Sequence, residues 1–268
     1  MFADVKYVEL ATGVRVQYVE QGSYSGVPVV MLHGYSDSWH SFEPILPFLP
    51  SSIHAYAISQ RGHGNTGRPT IGYGPSDFAE DVSEFMDALE IDSAVVVGHS
   101  MGSLVAQRFA LDYPHRTIGL VLIGSGPGMR GNPVWSELRA PVLELTDPVD
   151  SRFVREFQES TLAQPIPPTF FERAVQESRK VPARVWRSIW HDFADVDHSA
   201  ELARVKAPTL VTWGDRDSVF GRGEQDAIVA AVPHARLVVY GGAGHATHWE
   251  EPERFASDLV AFVRRVAD

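Results

Sequence analysis

The sequence has no cysteine among its 268 residues. Disulfides, thiolate chemistry and cysteine-held zinc are thereby excluded. No apolar run approaches the roughly 18 residues that cross a bilayer. The opening MFADVKYVEL has no basic segment followed by an apolar one, so no secretory signal is expected and the expected location is cytoplasmic. Positive charge is scarce: 23 Lys and Arg stand against 34 Asp and Glu, a net charge of −11. Such a surface stays solvated and opposes association with nucleic acid or an anionic membrane. There is no internal repeat, linker or low-complexity tract. What is present, 44% hydrophobic and 21% charged residues, is ordinary for a globular chain. The length suffices for a large core, as one domain or one domain with an insertion.

Apolar runs and turn residues order the chain. Val5–Leu10 and Val14–Val19 form a hairpin around Thr12-Gly13. VPVVML (27–32) and IHAYAI (53–58) are strands, the first running into His33-Gly34-Tyr35. Residues 39–49 are amphipathic and read as a helix, with Pro44 and Pro47 against it. Gly62, Gly64 and Gly67 spell G-x-G-x-x-G after a strand. A dinucleotide site needs a helix opening there, and Arg68-Pro69 and Gly72-Tyr73-Gly74-Pro75 follow instead, so the stretch reads as a glycine-rich turn. Ser76 is the expected N-cap of a helix carrying Phe78, Val82, Phe85 and Leu89 on one face. Further strands fall at 94–97, 119–123, 208–213 and 236–240, and helices at 103–111, 224–232 and 252–266. From Ser125 to Lys206 strand-like runs vanish, prolines recur and helical patterns take over, as in Phe153/Phe157 and Trp186/Trp190/Phe193. Alternating strands and helices imply a mostly parallel sheet with helices on both faces. Its ligand site lies beyond the carboxyl ends of the strands.

The chemistry centres on AVVVGHSMG (94–102). G-x-S-x-G between a strand and a helix is a nucleophile elbow. Gly98 and Gly102 leave room in the tight turn, and Ser100 is presented at the sheet edge. The Met101 N–H then lies at a helix N-terminus, where an oxyanion is stabilised. A serine hydroxyl needs a base, and the base needs an orienting group. A free imidazole titrates near 6.5, so histidine suits the base, and the rate should fall in acid. The order Ser, acid, His expected with an elbow is supplied by Ser100, the loop Trp213-Gly214-Asp215-Arg216-Asp217, and His245.

These blocks, with His33-Gly34, Arg61-Gly62-His63-Gly64 and Glu251-Pro252-Glu253, resemble the α/β-hydrolase superfamily, in its capped serine esterase, lactonase and cofactor-free haloperoxidase-like branch. The matching blocks run in the family order over nearly the whole chain. The resemblance implies an eight-stranded, mostly parallel sheet with helices on both faces and a helical cap inserted after the sixth strand. The core would be 1–125 and 207–268, and the cap, or lid, 126–206. It places the triad acid on Asp217 rather than Asp215, which is expected to bond within its own loop. Placing the acid after the preceding strand fails, because Ile123-Gly124-Ser125 has no carboxylate. The second oxyanion donor would be the backbone N–H of Tyr35, beside that of Met101. No cofactor is implied. Relatives with an aspartate nucleophile, the epoxide hydrolases and haloalkane dehalogenases, are set aside because position 100 is serine.

Other residues have plainer readings. His245 and His248 share H-x-x-H spacing without a third ligand pattern, so no metal is expected. His33 and His63 should bond loops, His99 should pack, and Arg61 and Arg68 fit loop salt bridges better than an acidic substrate. Trp135, Phe170, Trp186 and Trp190 either pack the cap on the body or line an apolar substrate pocket. The expected function is hydrolysis of a carboxylic ester or lactone of a small, largely apolar substrate through an acyl-enzyme on Ser100. Carbon–carbon, amide or perhydrolytic chemistry with the same triad, and a receptor with little turnover, are the alternatives. The absence of a glycine-proline stretch after His33-Gly34 weakens the carbon–carbon option. The sequence leaves monomer and homodimer equally open.

Overall fold

Residue alternation in the central strands explains the layers of the molecule. The computed structural model describes residues 4–267. In strand β3 (Val27–Leu32), Val30 and Leu32 pack into one apolar cluster, while Val29 and Met31 pack into another on the opposite side. Both faces are therefore covered, as a parallel sheet requires. The eight strands are β1 (Lys6–Glu9), β2 (Arg15–Gln21), β3, β4 (Ile53–Ser59), β5 (Ala94–His99), β6 (Thr117–Ile123), β7 (Thr209–Gly214) and β8 (Ala235–Tyr240). They lie in the order β1-β2-β4-β3-β5-β6-β7-β8. The pairs β1·β2 and β2·β4 are antiparallel, and every later pair is parallel.

One face is packed by α1 (Pro75–Ala88) and α2 (Met101–Asp112), through Phe78, Phe85, Leu104 and Phe109. Five helices between β6 and β7 join the same cluster: α3 (Pro133–Glu137), α4 (Arg139–Glu144), α5 (Ser151–Glu159), α6 (Pro168–Ser178) and α7 (Ala183–Phe193). So does α8 (Arg222–Ala231), through Ile228. A four-residue helix, α9 (Thr247–Glu250), follows β8. The opposite face is packed by α10 (Pro252–Ala267), through Phe255, Leu259 and Phe262.

Three local expectations are corrected. Residues 39–49 do not form an α-helix. They make two 3₁₀ turns, Trp39–Phe42 and Leu46–Phe48, because Pro44 and Pro47 remove the N–H groups that a continuous helix needs. Ser76 is not the N-cap of α1. Gly74 takes that place with Pro75 at the first helical position, and its N–H donates to Asp77 Oδ2 at 2.9 Å. Helix α2 starts two residues before the expected Ser103, directly after Ser100.

No helix among the described residues is long and apolar enough to cross a membrane.

Candidate active site

The turn from β5 to α2 is closed by close backbone approach. A Cβ on Gly98 would lie 2.2 Å from the Gly102 carbonyl oxygen, and one on Gly102 would lie 2.3 Å from that of Leu32. Only glycine fits at both positions. Ser100 adopts φ 51° and ψ −117°, which costs a side-chain-bearing residue about 1–3 kcal/mol. Its N–H is held by the Ile123 carbonyl at 3.0 Å, which fixes the residue against β6. Among the described residues, neither the Met101 N–H nor the Tyr35 N–H has an acceptor. Met101 directly follows Ser100, and Tyr35 lines the same cavity as Ser100.

Asp217 and His245 leave the carboxyl ends of adjacent strands, β7 and β8. His245 Nδ1 lies 3.0 and 2.9 Å from the two carboxylate oxygens of Asp217. Asp217 also accepts the Val219 and Phe220 N–H groups, at 2.8 and 3.1 Å, so its charge is held in a fixed direction. With Nδ1 committed to the carboxylate, Nε2 is the ring nitrogen left for proton exchange. Ser100 and His245 line one cavity. Among the described residues no hydrogen bond joins Ser100 Oγ to His245; the Asp217–His245 pair is formed, and Ser100 shares its cavity. Among the described residues the Asp215 carboxylate makes no hydrogen bond within its own loop, where only Arg216 approaches it, at 4.0 Å. It accepts from the Gly242 N–H at 2.7 Å and ties the Asp217 loop to the His245 loop.

Burial lowers the pKa of the four other histidines around the site, His33, His63, His99 and His248. His33 donates from Nδ1 to the Gly34 carbonyl at 2.8 Å and accepts the Gln60 N–H at 2.9 Å. Burial, and then the neighbouring His63, hold its pKa well below the imidazole range. His63 bonds the Arg61 carbonyl and the Ser36 N–H, and burial lowers its pKa to about 4. These two rings fasten the Tyr35 loop to the Arg61 loop. His248 bonds Ser41 Oγ at 3.0 Å, and burial pushes it to about 3. His99 packs between His245 and His248, at 5.0 and 4.6 Å between ring centroids, with neither ring nitrogen hydrogen-bonded. Arg61 pairs with Asp81 through two 2.6 Å bonds, and Arg68 donates to the Gly64 carbonyl; neither lines the cavity.

Of the four aromatic residues singled out in the sequence, Trp135 lines the cavity. Trp186 lies behind it, fully buried against Tyr35, Phe153 and Phe157. Trp190 bonds the Trp135 carbonyl through its indole N–H at 2.9 Å. Phe170 packs on Trp249 in a separate small cluster. The apolar wall is completed by Met129, Leu138, Phe157 and Val219. Four polar lining residues escaped sequence reasoning: Asp37, Gln158, Ser160 and Thr161. Gln158 Nε2 donates to Asp37 Oδ1 at 2.9 Å. Burial raises the Asp37 carboxyl to about 7, against the opposing effects of Gln158 and His245. The available signal was a carboxylate two residues beyond Tyr35, the expected oxyanion donor. No periodicity marks it. No lysine or arginine lines the cavity.

A sheet of this order, with an elbow serine, an acid and a histidine on the loops beyond its parallel strands, defines a class of protein. Residues 27–252 match the alpha/beta hydrolase fold family, and the chain belongs to it. It is 29% identical to a 2-hydroxy-6-oxononadienedioate/2-hydroxy-6-oxononatrienedioate hydrolase of Burkholderia vietnamiensis, over 97% of this chain and 95% of that one. It is 26% identical to Lipase 3 of a Moraxella strain, over 97% of this chain and 84% of the lipase. Among solved structures, a hydrolase of Pseudomonas aeruginosa superposes with a TM-score of 0.83 and 28% identity, covering 97% of this chain and 98% of the other.

Proposed function

We propose that the chain is a serine hydrolase that cleaves a carboxylic ester or lactone of a small, largely apolar, uncharged substrate. The observation that carries this reading is the Asp217–His245 pair opening on the cavity that Ser100 lines, beside the free Tyr35 and Met101 amides. Ser100 Oγ bonds to the acyl carbon while its proton passes to His245 Nε2. The carbonyl oxygen takes the negative charge between the two amides. The carbon–oxygen bond to the leaving alcohol then breaks, and the alcohol departs with the proton from His245. Water, deprotonated by the same nitrogen, releases the acid and restores Ser100. In this reading residues 126–206 are the cap, and Trp135 with its apolar neighbours receives the acyl or alcohol group.

The relative from Burkholderia favours a second reading, cleavage of a carbon–carbon bond in a dioate. The lining argues against it here. A carboxylate-bearing substrate would leave water for a cavity without a cation and with Asp37 inside it. A receptor with little turnover is separated by kinetics. Wild-type protein should give sustained multiple turnover of p-nitrophenyl butyrate, and Ser100→Ala should lower that rate by at least about 10³-fold. Turnover retained by Ser100→Ala, or a single slow turnover in the wild type, would defeat the proposal.

A further inference from the structure

The end of α5 and the turn after it reach three of the loops around the candidate site, those of Tyr35, Asp217 and His245. Gln158 is buried, and its Nε2 donates to Asp37 Oδ1 at 2.9 Å and to Ser178 Oγ at 2.7 Å. Asp37 lies two residues beyond Tyr35, and its own N–H returns to the Gly34 carbonyl at 3.2 Å. Next in the chain, the Ser160 carbonyl accepts from Ser218 Oγ at 2.9 Å, beside Asp217. The Thr161 carbonyl accepts the His245 N–H itself, at 2.9 Å. The Ala163 N–H donates to Glu250 Oε1 at 3.0 Å, and Glu250 Oε2 accepts the Gly244 N–H at 2.9 Å.

Four residues within the six-residue stretch 158–163 therefore bond to groups beside Tyr35, beside Asp217 and beside or on His245. Ties that only kept a lid on its base would have no reason to converge on those positions. The bonds act on backbone placement, which decides whether an amide points at a developing oxyanion and a ring at a serine hydroxyl. An error of about 1 Å in such placement costs about 10²-fold in rate.

We infer that residues 158–163 are a positioning element: Gln158, through Asp37, sets the Tyr35 amide, while Thr161 and Glu250 set the His245 loop. This rests on the serine hydrolase reading above. The element acts on the transition state more than on ground-state binding, because neither the oxyanion nor the imidazolium exists before reaction.

The test compares wild type with Gln158→Met, which keeps length and volume and removes both donors. Glu250→Gln, a residue outside the cavity lining, is the second variant, in case the first folds poorly. Each is measured for p-nitrophenyl butyrate hydrolysis, for inhibition by phenylboronic acid as a tetrahedral mimic, and for thermal unfolding. The expected result is a kcat lowered about 10- to 10²-fold, with KM within about twofold and the boronic acid constant weakened in parallel. A raised KM with unchanged kcat would make Gln158 a substrate contact and overturn the inference. So would kinetics and inhibition equal to wild type with only a lower melting temperature. A wild type that neither turns over the ester nor binds the boronic acid would instead overturn the hydrolase reading.

Discussion

A methyl group at position 102 would sit 2.3 Å from the Leu32 carbonyl oxygen and 2.5 Å from that of His33. Those oxygens belong to the strand and loop that lead to Tyr35, so Gly102→Ala must displace the β5–α2 turn or the Tyr35 loop. We expect a loss of about 2–4 kcal/mol in urea unfolding, with ester turnover falling further than stability alone explains. A variant as stable and as active as wild type would show that the turn yields more readily than its contacts imply. The same scale explains why the candidate triad residues could be singled out from the sequence and Asp37 could not. Ser100, Asp217 and His245 each follow an apolar strand at a fixed motif spacing. The importance of Asp37 comes from burial beside His99 and Gln158, neighbours 62 and 121 positions away, which no local pattern encodes.

Among the elements, the strands could be read to within a residue or two, because buried parallel strands are runs of β-branched and aliphatic residues with no competing pattern. The insertion could be recognised as helical, but its faces could not be assigned. Trp186 and Trp190 share a helical stripe, yet one is fully enclosed beside Tyr35 and the other is half-buried against Trp135. Packing partners, not spacing, decide which aromatic meets the cavity. The glycine-rich loop 60–74 is likewise fixed by tertiary contacts. Arg61 anchors it to α1 through Asp81, both being buried, and Thr12 Oγ1 adds a third bond to Asp81 at 2.7 Å. Arg61→Met strands that carboxylate without its cation. We expect a cost of about 3–5 kcal/mol, read as a lower urea midpoint. Arg61→Met with Asp81→Asn should recover a large part of it, and a double variant no better than the single would refute the pairing as the cause.

For the whole molecule, the Asp37 carboxyl links stability to pH. Its usual value of 3.8 applies to the unfolded chain, and the folded value is about 7. Between these limits the folded state holds a proton that the unfolded state has released, so stability falls as pH rises, and the full penalty is present above about 7. Asp37→Asn keeps an acceptor for Gln158 and does not titrate. Its stability relative to wild type should therefore climb between about pH 4 and 7 and then level off, by on the order of a few kcal/mol. A difference independent of pH in urea unfolding would contradict this account. The insertion has another consequence at this scale. Strands β6 and β7 are ladder neighbours, with Ile123 opposite Thr212, although residues 124–208 separate them. To the framework, that long excursion is one crossover between neighbouring parallel strands, leaving the carboxyl end of β6 and re-entering at the amino end of β7, where Thr209 lies opposite Leu120. If the insertion is the cap proposed above, mutation can recast which molecules are admitted by rewriting one contiguous passage while every rung of the sheet stays in register. A replacement that omits a counterpart of Gln158 should inherit the scaffold and the nucleophile yet turn over slowly.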